Sequence, residues 1–141
     1  MRLLVFDLRG SLAHFRRPDT TATHASYPII TRTALRGLLG SILGMEEFHG
    51  ESWTGIELRS PVRSVMQEMS MLGKGFLGDE PDQSMNRPTS IELIVQPAYR
   101  IYYHGDYQDE LHESIAGRRS HFHTYLGSAF ALTFPEFIGE F

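Results

Sequence analysis

The chain has 141 residues, 41% of them hydrophobic and 21% charged, and carries no cysteine; that excludes wholesale disorder, a disulfide framework, thiolate zinc and iron–sulfur clusters. Its length suits one domain, burying about 68–70% of the surface its unfolded chain would expose. The net charge of −4 argues against a generic polyanion binder, but residues 1–36 hold six arginines against Asp7 and Asp19, while residues 37–141 hold seven basic against fifteen acidic groups, so an N-terminal contact with a polyanion stays open.

From Arg2 to Arg9 the chain alternates Leu4, Phe6 and Leu8 with Leu3, Val5, Asp7 and Arg9. This predicts a strand buried on one face and largely on the other. The apolar run before Asp7 is too short for a signal peptide and no later stretch reaches transmembrane length, so a soluble, cytoplasmic protein is expected. Residues 10–30 have little periodicity and carry Pro18, Asp19, Thr20, Thr21, Thr23, Ser26 and Pro28. They predict a long loop, and loops of that length in compact domains are usually functional or mobile. A helix follows, capped by Thr31 or Thr33 and ending near Gly44. Leu35, Leu38, Leu39, Ile42 and Leu43 form its core stripe. Gly37, Gly40 and Gly44 form a second face, at a helix-propensity cost of about 1 kcal/mol for each interior glycine. That pattern predicts close approach of another backbone, protein or nucleic acid. Arg32 and Arg36, spaced i, i+4, lie between the two faces.

Trp53–Arg59 reads as a short strand. Residues 61–90 contain Met66, Met69, Met71 and Met85, the Gly73-Lys74-Gly75 turn, Gly78 and a polar run from Asp79 to Asn86. They predict a protruding arm, a hairpin in form, with too little regular apolar content to be core. Ile91–Gln96 and Tyr99–Tyr103 are one strand broken at Pro97, or two strands. Residues 106–117 predict a helix with acids in its first turn, a stop at Gly117, and Arg118 and Arg119 at its negative end. His121–Leu126 and Phe130–Phe134 are predicted strands. The order matches the β-α-β-β-α-β pattern of an α+β, ferredoxin-like or RRM-like fold, with an insertion between its second and third strands.

The ordered set Phe6-Asp7-Leu8-Arg9-Gly10, Ala13-His14-Phe15-Arg16, Tyr27-Pro28-Ile29, Arg32-Thr33-Ala34-Leu35, Gly37-Leu38-Leu39-Gly40 and Ile42-Leu43-Gly44 resembles the N-terminus of the CRISPR-associated Cas-five family, of the RAMP superfamily, in particular its subtype I-B members. The resemblance is dense over roughly the first 45 residues. It is weaker at Tyr99-Arg100-Ile101-Tyr102 and Thr124-Tyr125-Leu126-Gly127. It implies a single RRM-like domain over 1–141, a palm bearing a thumb-like β-hairpin arm at 61–90. It further implies a non-catalytic crRNA-binding subunit of a type I Cascade, a ribonucleoprotein complex of antiviral defence. Such a subunit anchors the 5′ handle of the guide RNA and caps the backbone filament beside the large PAM-reading subunit. The implied partners are crRNA, the backbone and large subunits and, through the complex, target DNA; no membrane, metal or cofactor is implied. Family members commonly continue beyond the Tyr-Leu-Gly segment, so a shortened C-terminal part is expected.

A single-stranded RNA handle needs cations for phosphate, backbone or hydroxyl donors, and aromatic faces for splayed bases. Arg16, Arg17, Arg32 and Arg36 are phosphate candidates. Thr20, Thr21 and Thr33 offer hydroxyls, and His14, Phe15 and Tyr27 can stack. On the arm, Arg63 and Lys74, with Arg59 and Arg87, can track a backbone. The bland reading stands beside this one: His14 and Phe15 fill core space, the arginines solvate a surface and the threonines shape the loop.

The alternative function is a metal-independent endoribonuclease processing precursor crRNA, which needs a general base and acid near the 2′-OH and the leaving oxygen. One branch of the family uses Tyr, Lys and His for this, but no such set maps onto this chain, whose one lysine is on the arm. His104, His112, His121 and His123 lack the spacing of a metal site and read as structural or RNA-contacting. A metabolic ferredoxin-like module is the third class. No P-loop, nucleophile elbow or dinucleotide fingerprint is present.

Overall fold

A computed structural model describes residues 1–20, 23–72 and 86–141, with side chains described except at positions 71, 72, 86 and 87. The N-terminal alternation forms β1 (Leu4–Arg9), an inner strand of a four-stranded antiparallel sheet. Its neighbours are β7 (Ala98–Gly105) and β8 (Glu136–Glu140), and β4 (Ser52–Leu58) lies outside β7. Two helices, α1 (Arg32–Leu43) and α2 (Gln108–Ala116), complete the β-α-β-β-α-β unit. Leu4, Phe6 and Leu8 of β1 and Tyr99, Ile101 and Tyr103 of β7 share the face that packs on Leu35, Leu38, Leu39 and Ile42 of α1 and on Leu111 and Ile115 of α2. Among the described residues no helix is long and apolar enough to cross a membrane.

On the opposite sheet face, Asp7 and Arg100 stand directly across from each other in the β1–β7 register. Arg100 donates from Nε and Nη2 to the two carboxylate oxygens, at 2.8 and 3.0 Å. Asp7 is only 2% exposed, so its charge depends on this fork-shaped donor pair. The Arg100 guanidinium holds its carboxyl below the usual carboxylate range. Two separated segments, Phe6–Gly10 and Tyr99–Tyr102, are therefore one paired unit.

The second sheet is built on β6 (Asn86–Val95). It pairs along one edge with β5 (Ser64–Leu72), from Ser64 opposite Ile94 to Leu72 opposite Asn86. On the other edge lie two short strands of the N-terminal loop, β2 (Leu12–Ala13) and β3 (Thr23–His24). The break at Pro97 thus separates two strands of two sheets. The arm is a two-stranded antiparallel ladder; its Gly73-Lys74-Gly75 turn, Gly78 and Met85 lie outside the described residues. Its last strand runs on past residue 90 into the core, where Ile91, Leu93 and Ile94 are buried.

One expectation is overturned. Residues 121–126 and 130–134 are not strands. Buried Thr124, Leu126, Ala131 and Thr133 alternate with exposed Tyr125, Phe130, Leu132 and Phe134, which imitates a strand's period of two. The two segments instead bond each other locally, through the isolated bridge Tyr125–Leu132 and the Leu126–Ala131 and Thr133–Thr124 backbone bonds. The closing strand is β8, whose Glu-Phe-Ile-Gly-Glu sequence carries little β signal of its own.

The glycine face of α1 divides three ways. Gly44 is the left-handed C-cap at φ 80°, its N–H donating to the Gly40 carbonyl. A Cβ at Gly40 would lie 3.1 Å from the Met45 carbonyl oxygen, so the close backbone there is the protein's own. A Cβ at Gly37 would meet nothing within 4 Å. Gly37→Ala is therefore expected to raise stability by about 0.5–1 kcal/mol through helix propensity, and Gly40→Leu to lower it by about 1–3 kcal/mol through overpacking. Denaturant titration of both variants checks the pair; equal effects would contradict this division.

Candidate nucleic-acid interface

The loop before α1 is anchored before it is exposed. Phe15 is buried and packs its ring on Tyr99, with centroids 6.3 Å apart. Its N–H donates to Ser26 Oγ at 3.0 Å, and its carbonyl accepts from Tyr27 N–H at 2.7 Å. Ser26 N–H donates to Glu92 Oε1 at 2.9 Å, fixing the clasp to β6. The clasp sets Arg16 and Tyr27 at the mouth of a groove of about 660 Å³. Thr33, Gly37 and Ser41 of α1 form one wall, and Tyr125 closes another. Thr31 lies at the helix start and is occupied as its cap, Oγ1 accepting from Ala34 N–H at 3.1 Å. The open space at Gly37 leaves the α1 wall without a side chain at its middle.

The Tyr125 wall is set by a tight crossing. Gly127, at φ 86°, lies so close to the loop that a Cβ there would sit 2.0 Å from the His14 carbonyl oxygen. His14 N–H donates to the Leu126 carbonyl at 3.1 Å, and Leu126 is buried in the core. This accounts for the Thr124–Gly127 segment as the seat of the loop.

A second groove, of about 520 Å³, runs along the other flank of α1 between Arg32, Arg36, Glu51, Trp53, His104 and Asp106. Arg36 is already engaged there. Its Nη2 donates to the Phe48 carbonyl at 2.8 Å and contacts that of Gly50 at 3.4 Å, and its guanidinium lies 4.9 Å from the Phe48 ring centroid. Arg32 is exposed and has no ion-pair partner among the described residues.

The residues expected to bind RNA thus separate. Arg16 and Thr33 share the first groove, and Arg32 and Arg36 the second. Arg17 pairs with Asp19 at 3.0 Å on the exposed loop and holds that carboxyl below its usual range. Thr20 Oγ1 donates to the Arg17 carbonyl at 2.7 Å and shapes the same turn. Arg63 is exposed near the base of the arm, and its carbonyl accepts from Val95 N–H. Thr21 and Lys74 lie outside the described residues. His14 requires a correction. It is 5% exposed, with Nδ1 2.7 Å from the Glu92 carbonyl, so it fills core space and has no free face for a base. Phe15 is buried in the same way.

Sequence reasoning missed Tyr125, Ser41 and Trp53 as groove residues. The tyrosine lies in the Thr124–Gly127 segment, but Arg16, with which it shares the groove, is 109 residues away in sequence. Two of the histidines are engaged elsewhere: His104 Nδ1 is 2.9 Å from the Arg2 carbonyl, and His112 Nδ1 is 2.5 Å from Glu140 Oε2. Among the described residues no three His, Asp or Glu side chains gather as a metal site requires. Burial pushes the Tyr99 and Tyr103 phenols up to about 12.

Residues 3–127 match the family described as CRISPR-associated protein (Cas_Cas5). Among solved structures, the chain is similar to a crystal structure of a CRISPR-associated protein, with TM-score 0.66 and 16% identity over 99% of this chain and 69% of that one. It is similar to a chain of a CRISPR RNA-guided surveillance complex, with TM-score 0.71 and 14% identity over 92% of this chain and 59% of that one. A chain of a Type III-B Cmr-beta assembly bound to cognate target RNA and AMPPnP matches with TM-score 0.57 and 13% identity, over 99% of this chain and 63% of that one. At these identities the likeness is one of fold. This chain spans 59% of the length of its surveillance-complex relative. No curated protein matches the sequence.

Proposed function

The chain belongs to the CRISPR-associated Cas-five family, and on that premise we propose that it is a non-catalytic, crRNA-binding subunit of a type I RNA-guided surveillance complex. It holds the 5′ handle of the guide RNA and caps the row of backbone subunits next to the large PAM-reading subunit. The observation that carries this reading is the groove at the start of α1. It offers one cation (Arg16), the exposed Thr33 hydroxyl, the half-buried Ser41 hydroxyl and two partly exposed aromatic rings (Tyr27, Tyr125) along a helix wall left open at Gly37, with the carboxylate of Glu46 also in the lining. Single-stranded RNA is bound by that combination: cations track phosphate and ring faces take unstacked bases. The fold shared with a chain of an RNA-guided surveillance complex and with a chain of an assembly bound to target RNA supports the same assignment. The engagement of His14, His104 and His112 with carbonyls and a carboxylate of the protein itself supports a binding role over catalysis for these three.

The test is incubation of the purified protein with repeat RNA, followed by anisotropy over a range of salt and by gel electrophoresis. Expected is handle-dependent binding that weakens linearly in log salt, with the RNA intact. Cleavage at the handle boundary would make the chain an endoribonuclease. Absence of salt-sensitive binding, alone and with partner subunits, would remove the RNA reading altogether.

A further inference from the structure

Resting on that reading, we propose that Trp53 is a stacking platform for a nucleotide base, placed so that a single RNA strand passes around the N-terminal end of α1 from the Arg16 groove into the Arg32 groove. Trp53 is the one tryptophan of the chain, and it is 80% exposed. An indole is among the largest apolar surfaces a protein can bury, and here it is left in water on β4, the edge strand of the sheet. Its cross-strand partner is His104; by the register both belong to the Asp7–Arg100 face of the sheet, turned away from α1, so Trp53 borders the Arg32 groove from the edge of the sheet. The groove around it is otherwise polar: Arg32, Glu51, Ser52 and Asp106.

That surround decides between two kinds of occupant. A tryptophan that anchors a protein partner sits in a well-packed patch with further contacts that exclude water. The groove that Trp53 borders offers it no apolar rim, which suits a base, since a base needs only a flat π face and stacks irrespective of sequence. The two acids of the groove disfavour phosphate beside the β4–β7 end. Glu51 N–H donates to Asp106 Oδ2 at 3.0 Å, and Asp106 N–H donates to the Glu51 carbonyl at 2.9 Å. Arg32 is then the cation left for the backbone, with the base over the indole.

The backbone beneath it is fixed. The Glu51–Asp106 bonds close the end of the β4–β7 ladder, and a Cβ at Gly105 would lie 2.4 Å from the Glu51 carbonyl oxygen. Adjacent positions on a helix are rotated by about 100°. Thr33 therefore lines the Arg16 groove while Arg32 lines the Trp53 groove. A strand crossing the helix start meets both.

Because Trp53 is the sole indole, its emission reports this site alone. The intact protein is titrated with a 5′-fluorescein single-stranded repeat RNA, following label anisotropy and tryptophan emission in parallel titrations. Expected is quenching of emission that saturates together with anisotropy. Trp53→Ala should weaken binding about tenfold with an unchanged thermal midpoint, and Trp53→Phe should restore most of the affinity. A rise in anisotropy with constant emission and an unaltered Trp53→Ala affinity would overturn the platform and leave RNA binding standing. Emission that responds to a partner subunit and not to RNA would overturn it in favour of a protein contact. No anisotropy change at all would remove both this proposal and the RNA reading beneath it.

Discussion

Gly127→Ala should lower the thermal midpoint by about 10 °C or more, the largest stability loss expected from a glycine-to-alanine change among the described residues. Two costs coincide at that position. An L residue at φ 86° is strained by roughly 1–3 kcal/mol. The added Cβ would also sit 2.0 Å from the His14 carbonyl oxygen, and a backbone atom cannot step aside as a side chain would. Overpacking of that kind adds about 1–3 kcal/mol. For a chain of this size each kcal/mol lowers the midpoint by roughly 3–5 °C. The loss should extend to function, because the same crossing seats Tyr125 against the Arg16 groove. Calorimetric melting checks the first part, with Gly37→Ala as the matched control in open space. A midpoint within about 3 °C of the parent protein would show that the 14–15 and 126–127 segments are not locked together as described.

Arg16→Ala and Arg32→Ala should each weaken RNA binding about tenfold, and the double variant about a hundredfold, with little change in melting. The argument is geometric. Arg16 gives up only its bond to the Thr20 carbonyl, and Arg32 has no ion pair to lose among the described residues, so the fold does not depend on either. They lie on opposite flanks of α1 and share no partner, which is the condition for additive losses. Each lost phosphate contact should also reduce the slope of log affinity against log salt by about 0.7, the value for single-stranded nucleic acid. Arg36→Ala is the instructive contrast. Its guanidinium holds the Phe48 and Gly50 carbonyls, so its removal should cost roughly 1–2 kcal/mol of stability. Titrations at several salt concentrations, paired with melts, separate the three arginines. Equal behaviour of Arg32 and Arg36 would contradict the division between a free cation and a structural one.

The helix at 32–43 was legible because its signals are local. A threonine cap, a leucine stripe at helical spacing and a glycine stop all act within a few turns. The strand at 4–9 and the helix at 108–116 were legible for the same reason. The segment 121–134 misled because alternation marks which residues are buried, not what they bond to. Its side chains do alternate in burial, but the carbonyls that a strand would offer to a sheet are spent on a local turn. Strand β8 was missed for the converse reason: its two β-formers, Phe137 and Ile138, are too short a run between glutamates and a glycine, and its place is set by the free edge of β1.

The candidate site divides along the same line. The sequence alone determined that the cations gather before residue 37, that a helix begins among them and that the family is a CRISPR-associated one. Only the tertiary structure decided that His14 and Phe15 are core, that Arg36 is tied to a neighbouring loop, and that Arg16 and Arg32 face different grooves. Composition and periodicity are properties of neighbours in the chain. Which charge is left free is a property of neighbours in space, settled here by contacts that join residues 14 and 126, 7 and 100, and 36 and 48.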